Sequence, residues 1–267
     1  MGFGLVLASA SAAELQSETV RAWEDYVRSA TASTQQRVAS SATFIWIDEF
    51  PDRAQRVREG EILVAPVAWR KVPSGLIHHW IGAVFIPNAR LEDLIGVLRN
   101  YEAYRDYYPP SVLEARSVSQ SRFDDRFCVL LMNKALVRTL ALEGEYESTY
   151  VPLDDHRWYS ISRSARLQEI ENYGRPDERR LAPGEGSGYI WRLFTISRFQ
   201  ERGAGVVAEI EVIALSRPVQ AAVRWFVDPI IQQVAKSSLT KSLRQMRAAT
   251  SRVVSSRRRG APVPPTD

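Results

Sequence analysis

The side chains that could act as acids, bases or metal ligands are few and scattered in this sequence. The histidines are His78, His79 and His156, and the single cysteine is Cys128. Adjacent strand residues point to opposite faces of a sheet, so His78 and His79 cannot bind one metal ion together. One cysteine excludes both an intramolecular disulfide and a cysteine-based metal cluster, and its apolar neighbours indicate an inert buried thiol. We therefore expect neither a metal site nor a cofactor.

Two carboxylates near the C-terminal end, Glu209 and Glu211, alternate with apolar residues. If the apolar residues face the core, both carboxylates point outward and pair with Arg192 or Arg198 on a neighbouring strand. If the faces are reversed, the acids are buried beside arginine and general acid–base chemistry becomes feasible. The alternation favours the outward orientation.

Nucleotide-binding and nucleophile motifs are missing from the sequence. It contains neither a Gly-x-Ser-x-Gly elbow nor a phosphate-binding P-loop. The glycine-rich residues 184–188 have the wrong spacing for a dinucleotide-binding loop and precede a strand instead of a helix. No convincing catalytic constellation follows from these motifs.

Aromatic residues provide the clearer functional signal. Tyr and Trp combine an apolar ring with one polar group, which suits ring-shaped or acyl ligands. Each of them can equally be a large core side chain. The candidate ligand-binding residues are mostly aromatic and lie on the predicted strands and helices: Trp80, Tyr104, Tyr108, Tyr146, Trp158, Trp191, Arg192, Phe226 and Ile230.

The elements that position these residues follow a simple order from Gly75 onward. Residues 76–86 form an apolar strand, and residues 91–100 and 101–107 have a helical pattern that Pro109 ends. Six further strands follow, and their short turns predict antiparallel pairing of sequence neighbours. Their residues are 112–120, 126–133, 138–151, 156–167, 188–200 and 206–215.

A long helix is predicted for residues 218–250. Its apolar stripe includes Ile230, Ile231 and Leu243, and it is the only long apolar helix available to cover one face of a seven-stranded sheet. Pro229 predicts a kink or break near Asp228.

Several segments resemble the START-like superfamily, also called the polyketide cyclase and lipid-transport superfamily. Residues 100–109 resemble its pattern of Asp or Asn followed by Tyr, Tyr and Pro, and residues 75–82, 188–193 and 209–217 resemble a bacterial branch that is often exported. The resemblance covers residues 75–250. It implies an α+β helix-grip fold, in which a curved antiparallel seven-stranded sheet wraps on a long C-terminal helix. It implies no catalytic residue, because superfamily members bind, carry, cyclise or sense their ligands.

The regions flanking this domain have distinct compositions. Residues 1–13 are apolar and then small, like the end of an export signal without its positive start; such a signal would place the protein in the periplasm or cell envelope, and without one it would be cytoplasmic. Residues 14–74 predict an added N-terminal helix and short strands at 43–50 and 61–69. Residues 251–267 predict a disordered basic tail.

The positive charge is concentrated at the C-terminal end. The whole chain has a net charge of +4, but the segment from Lys236 onward carries +7 and the remainder −3. A solvated helix face explains this most simply. Peripheral contact with an anionic membrane is the second interpretation, and nucleic acid is not expected as a partner.

We therefore predict that the protein binds or carries a hydrophobic small molecule or lipid, without catalysis, in a cavity between the sheet and the last helix. One alternative is a cyclase or dehydratase that uses buried polar residues such as Arg192, Glu209 and Tyr146. The other is an interaction module at the envelope surface, in which the basic helix matters more than any cavity.

Overall fold

A computed structural model describes residues 15–39, 43–135, 138–187, 189–218 and 224–260. The predicted export signal, residues 1–13, lies outside these ranges. The described helices are α1 (Ser17–Ala39), α2 (Pro51–Arg58), α3 (Leu91–Arg99), α4 (Tyr104–Tyr107) and α5 (Arg224–Gly260). The described strands are β1 (Leu63–Val72), β2 (Gly75–Pro87), β3 (Val112–Gln120), β4 (Asp124–Ala135), β5 (Arg138–Pro152), β6 (Arg157–Glu171), β7 (Arg179–Arg180), β8 (Arg192–Arg202) and β9 (Gly205–Ser216).

The strands form one antiparallel sheet in the order β1-β2-β9-β8-β6-β5-β4-β3, with β7 paired to β6. The predicted α+β class, the helix-grip order of elements and the antiparallel pairing of neighbours are confirmed. The sheet is wider than the seven predicted strands, because β1 pairs with β2 at its edge and the two-residue β7 lies between the predicted strands 156–167 and 188–200.

Side chains alternate between two faces that are covered by different helices. On β2 the even-numbered residues, such as Trp80 and Val84, pack towards α5, and we name this side the α5 face. The odd-numbered residues, such as Ile77 and Ile81, pack against the N-terminal segment, and we name this side the α1 face. Because β2 is covered on both faces, it is apolar along nearly its whole length.

Helix α5 docks on the α5 face through its C-terminal half. Leu243 and Met246 are almost fully buried, and Leu243 lies directly over Gly82, where an added Cβ would be 2.8 Å from its Cδ1 atom. The helix packs mainly on β1, β2 and α3. Glycine at position 82 therefore lets the helix approach the sheet closely.

The basic end of α5 is ordered by contacts to the domain. Residues 251–260 continue the helix, so the prediction of a disordered tail is wrong for them. Val254 is buried, and Arg257 donates to the Asp93 carboxylate at 2.5 Å. The helix also continues through Pro229, where a kink or break was predicted, so it is not broken there.

The N-terminal segment covers the α1 face. The strand predicted for residues 43–50 is wrong: they form a bend and a 3₁₀ turn at Trp46–Glu49, with Phe44 and Ile47 buried against the sheet. Pro51 starts α2 instead of stopping a strand, because the fixed φ of proline suits the first position of a helix. The apolar run at 43–50 reflects burial by the α1 face instead of strand alternation.

The docking of α5 predicts opposite effects for two Gly-to-Ala substitutions. Gly82→Ala should lower the free energy of unfolding by about 1–3 kcal/mol, because the methyl group would overlap with Leu243 and with the backbone of Leu63. Gly96→Ala, in α3 with open space around it, should raise it by roughly 0.5–1 kcal/mol. Equilibrium urea unfolding measures both. Equal effects at the two positions would contradict this account of the docking.

Candidate ligand site on the α5 face of the sheet

Three of the predicted aromatic residues meet on the α5 face. The ring of Tyr104 contacts Tyr108 edge-on at 5.1 Å between centroids and contacts Phe127 at 6.4 Å. Phe127 stacks on Tyr146 at 5.3 Å. The residues come from α4, the turn after it, and the neighbouring strands β4 and β5, so the tertiary fold builds one aromatic wall from separate segments.

Two predicted tryptophans lie elsewhere on the same face. Trp80 and Trp158 pack with the aliphatic cluster under α3 and α5. Trp80 is 6% exposed, and its indole N–H has no hydrogen-bond acceptor among the described residues. Trp158 is half-buried. The α5 face thus has an aromatic wall on the β4–β5 side and an aliphatic wall on the β2–β9 side.

The other predicted site residues are not part of this face. Trp191 packs on the α1 face against Trp23 of α1, and Arg192 lines a cleft of about 390 Å³ beside α1. Ile230 is 37% exposed on α5. The prediction for Phe226 lies outside the described side chains. One site cannot include Trp191, Arg192 and Tyr146, because the sheet separates them.

The centre of the α5 face is incompletely covered. On β9, Ile213 and Leu215 face α1 and are 0% exposed. Their neighbours Ile210 and Val212 face the other side and are only half-buried, as is Leu193 on the adjacent strand β8. A central strand is therefore sealed on its α1 face and partly open on its α5 face.

The open region contains small hydroxyl side chains that the sequence analysis did not select. Ser160 and Ser162 on β6 pair with Ser197 and Thr195 on β8, and Ser148 of β5 pairs with Ser162. We name these five residues the hydroxyl patch. Their signal in the sequence is the alternating serine of residues 160–164, which marks a strand face that is polar but uncharged.

The tyrosines beside the open region are neutral. Burial raises the pKa of Tyr108 and of Tyr146 above the usual range, and it raises the pKa of Tyr150 to about 12. The Tyr104 hydroxyl donates to the backbone carbonyl of Leu98 at 2.6 Å. Tyr108 and Tyr146 can donate hydrogen bonds to a ligand, whereas the proton of Tyr104 is already used. None of these phenols is suited to act as a base near neutral pH.

A buried charge network lies on the opposite, α1 face. Arg198 donates to Glu209 Oε1 at 2.6 Å and to Glu211 Oε2 at 2.8 Å. His79 Nε2 lies 2.7 Å from the other oxygen of Glu211. Arg198 and Glu209 are 2% and 0% exposed, so two carboxylates and one guanidinium share a space from which water is excluded.

The network ties the sheet to the N-terminal segment. The backbone N–H of Trp46 donates to Glu209 Oε2 at 2.5 Å, and Arg198 donates to the Thr34 hydroxyl at 3.1 Å. The Tyr26 hydroxyl lies 2.8 Å from His79 Nδ1. Each of these contacts orients α1 or the turn after it against β2, β8 and β9.

Glu209 and Glu211 have the predicted outward orientation and pair with Arg198, but they are not on an open surface. Both do point away from α5, as the alternation requires, but the N-terminal segment covers that face and buries them. The residues named for the catalytic alternative do not meet, because Glu209 and Arg192 lie on the α1 face and Tyr146 lies on the α5 face. An acid–base site that combines these three residues is excluded.

Burial affects the two carboxylates differently. Desolvation raises the pKa of Glu209 to about 7, despite the charge of Arg198. At Glu211 desolvation also opposes ionisation, but the hydrogen bond from His79 and the charge of Arg198 outweigh it and hold the pKa at about 2. Glu211 is thus the ionised partner of Arg198, and Glu209 takes up a proton near neutral pH.

Two further features of the described ranges bear on function. No group of three or more His, Cys, Asp or Glu side chains there could hold a metal ion; His78 and His79 lie on opposite faces. No helix in those ranges is both long and apolar enough to cross a membrane.

Comparison with known proteins identifies similarity only at the level of structure. No family model matches the chain, and no curated protein matches it. The chain is similar to START-like proteins. The STAR-related lipid transfer protein of Xanthomonas axonopodis is 16% identical, with a TM-score of 0.43 over 69% of this chain and 98% of that one.

Two other solved structures are similar to the same degree. The Zhui aromatase/cyclase of Streptomyces sp. R1128 is 10% identical, with a TM-score of 0.45 over 67% of this chain and 96% of that one. Human STARD10 is 14% identical, with a TM-score of 0.44 over 79% and 83% of the two chains. These values concern the arrangement of the chain and carry no information on its ligand or activity.

The charge network predicts how stability depends on pH. The Glu209 carboxyl binds its proton more tightly in the folded state, so its contribution is greatest below pH 4.5 and is lost as the pH rises from 4.5 to 7. Glu211 acts in the opposite direction, and its contribution grows as the pH rises from 2 to 4.5. His78 opposes the loss from Glu209 up to pH 6.5, because burial lowers its pKa to about 4 and the unfolded state binds the proton more tightly. The melting temperature in thermal unfolding should therefore change little between pH 5 and 6.5 and decrease only slightly above that.

Two glutamine variants separate these contributions. Glu209→Gln should show a melting temperature that rises between pH 5 and 6.5, whatever its absolute stability, because Gln does not titrate and the contribution of His78 is no longer offset. Glu211→Gln should be less stable at every pH in that range, since Arg198 loses its ionised partner, a change that costs about 3–5 kcal/mol for buried pairs. It should also weaken the titration of Glu209, because the charge of Glu211 helps to raise the pKa of that carboxyl. An unchanged slope in Glu209→Gln would contradict the assignment.

Proposed function

We propose that the α5 face of the sheet binds a hydrophobic small molecule or lipid and holds it without catalysing a reaction. One observation carries the proposal: Ile210 and Val212 are only half-buried although they lie on a central strand of the sheet. In a protein whose two layers simply pack together, the centre of each sheet face is the best-buried part.

The position of α5 explains why this region is open. The helix packs on β1 and β2, next to one edge of the sheet, and α3 and α4 cover the other side. Leu239 and Leu243 in the C-terminal half of α5 are buried, whereas Ile231 and Val234 in the N-terminal half are only half-buried. Apolar surface therefore remains available on both the helix and the sheet, and a ligand gains about 25 cal/mol for each Å² that it covers.

The chemistry of this face supports holding instead of conversion. Its tyrosines are neutral. On the same face of β2, His78 Nε2 is 2.6 Å from the Ser216 hydroxyl, and its Nδ1 is buried without a partner among the described residues. Burial lowers the pKa of His78 to about 4, so it is uncharged at neutral pH. The buried carboxylate on this face, Asp125, is held by Arg99 and by the Tyr101 hydroxyl. Glu209 and Glu211 are on the α1 face.

The membrane-surface alternative is supported less well by the contacts. Half of the eight basic side chains from Lys236 onward bind acceptors within the domain: Lys241 to Ser111, Arg247 to Gly60, Arg252 to Asp106 and Arg257 to Asp93. These charges hold α5 in place. Membrane contact by the remaining basic residues, and export of the protein, stay predictions.

Native mass spectrometry with solvent extraction tests the proposal directly. Protein purified without detergent should carry a reproducible apolar molecule, and the uncharged dye N-phenyl-1-naphthylamine should bind and fluoresce. Ligand-free protein that also fails to bind the dye would refute the proposal. Loss of vesicle binding on removal of residues 258–267, without any ligand, would favour the membrane-surface alternative.

A filling substitution locates the site. Val212→Trp should weaken binding of the dye at least tenfold, because the indole would occupy the open centre of the α5 face. Val118→Trp on β3 is the matched control, since Val118 is exposed and lies outside the open region. Ala214→Leu is a milder test on the same face as Val212 and should weaken binding in the same direction. Equal dye binding by all variants would place the site elsewhere.

A further inference from the structure

The hydroxyl patch is a compact group of side chains at the centre of the sheet. Cross-strand partners have Cβ atoms about 4.5–5.5 Å apart, so the direct pairs of Ser160 with Ser197 and of Ser162 with Thr195 form a square. Ser148 extends it onto β5. Val212 pairs with Thr195 on one side of the square, and Tyr150 pairs with Ser160 on the other.

The side-chain hydroxyl groups of the patch are not committed to other groups in the described part of the chain. Among the described residues, none of the five hydroxyl groups makes a hydrogen bond, although Ser164 next to them bonds to the backbone of Leu193. Ser148, Ser160 and Ser197 are 5%, 7% and 8% exposed, so water has limited access to them. Their oxygen atoms are not fully buried, so the cost of about 1–3 kcal/mol for a buried hydroxyl without a partner would arise only when a ligand covers them without a hydrogen bond.

A second unpartnered donor lies in the same cross-strand row. Trp80 pairs with Val212, Val212 with Thr195, and Thr195 with Ser162. The Trp80 indole N–H is buried and has no acceptor within the described ranges. The α5 face thus combines apolar walls with unused donors and acceptors, a combination typical of a site that orients a ligand by a few polar contacts.

We propose that the hydroxyl patch recognises an uncharged oxygen, a ketone or alcohol, in the middle of an otherwise apolar ligand. This inference rests on the proposed function and narrows its ligand class. Hydroxyl groups both donate and accept hydrogen bonds, so they match carbonyl and hydroxyl groups alike. The patch contains no charged residue, and an ionised ligand group there would lose its hydration without gaining a counter-charge.

A plain hydrocarbon fits the patch less well than an oxygenated ligand. Covering five hydroxyls with methylene groups would remove their remaining contact with water and leave every one unsatisfied. A carbonyl at the patch accepts from two or more of them and loses fewer hydrogen bonds. The small side chains of Ser and Thr also leave more depth above the sheet here than Leu or Phe would, which lets a ring reach the patch.

The test compares two ligands of one shape that differ only in oxygen. Fluorene and 9-fluorenone are rigid, uncharged tricycles, and equilibrium dialysis with absorbance detection gives their dissociation constants. The intact chain should bind 9-fluorenone about tenfold more tightly, although fluorene is the more hydrophobic compound. In Ser162→Ala/Thr195→Val/Ser197→Ala the ratio of the two dissociation constants should fall to about one. Ser119→Ala, an exposed hydroxyl on β3, should keep the ratio of the intact chain.

The outcomes separate the two proposals. Binding of both compounds with equal affinity would overturn the role of the hydroxyl patch and leave the proposed function standing. Binding of neither compound, together with no binding of N-phenyl-1-naphthylamine, would overturn both. If the triple variant unfolds, Ser162→Ala alone decides the question, and an unchanged ratio in that variant would count against the patch.

Discussion

The antiparallel ladder between β2 and β9 is the constraint on which the rest of the structure depends. It pairs residues 76–87 with residues 205–216 in continuous register and so joins the start of the sheet to its last strand. Because side chains alternate between faces, this ladder decides which residues meet α5 and which meet the N-terminal segment. A slip of one residue would exchange the two faces and place Glu209 under α5.

The charge network fixes the position of the N-terminal segment on the α1 face of the sheet. Apolar contacts tolerate small shifts of a helix, but the hydrogen bonds from Trp46 to Glu209 and from Arg198 to Thr34 require one position. A buried ion pair of this kind contributes little net stability compared with apolar residues of the same volume. Its effect is to orient the N-terminal segment, with Arg198 lying between two carboxylates that titrate in different pH ranges.

The two faces of the sheet are consequently specialised. The α1 face is sealed over the centre of β9 and contains the network of Arg198, Glu209 and Glu211, whereas the α5 face keeps a partly open centre with neutral phenols and the hydroxyl patch. Apolar side chains buried on the α1 face stabilise the sheet. The central strands can therefore remain in place although their α5 face is partly exposed. A ligand on the α5 face would complete the burial of Ile210 and Val212.

The sequence by itself determined most of the helices and strands. Alternation and turn residues predicted β2–β6, β8 and β9, and the helical repeats predicted α3 and α5. The resemblance to the START-like superfamily predicted that these elements form a helix-grip sheet. The sequence also separated His78 from His79, because alternation is a local property of a strand. Only the tertiary structure decided that the N-terminal segment buries Glu209 and Glu211, that Trp191 and Arg192 lie apart from Tyr146, and that five hydroxyls converge. Burial and convergence depend on which distant segment covers a face, and short-range patterns do not contain that information.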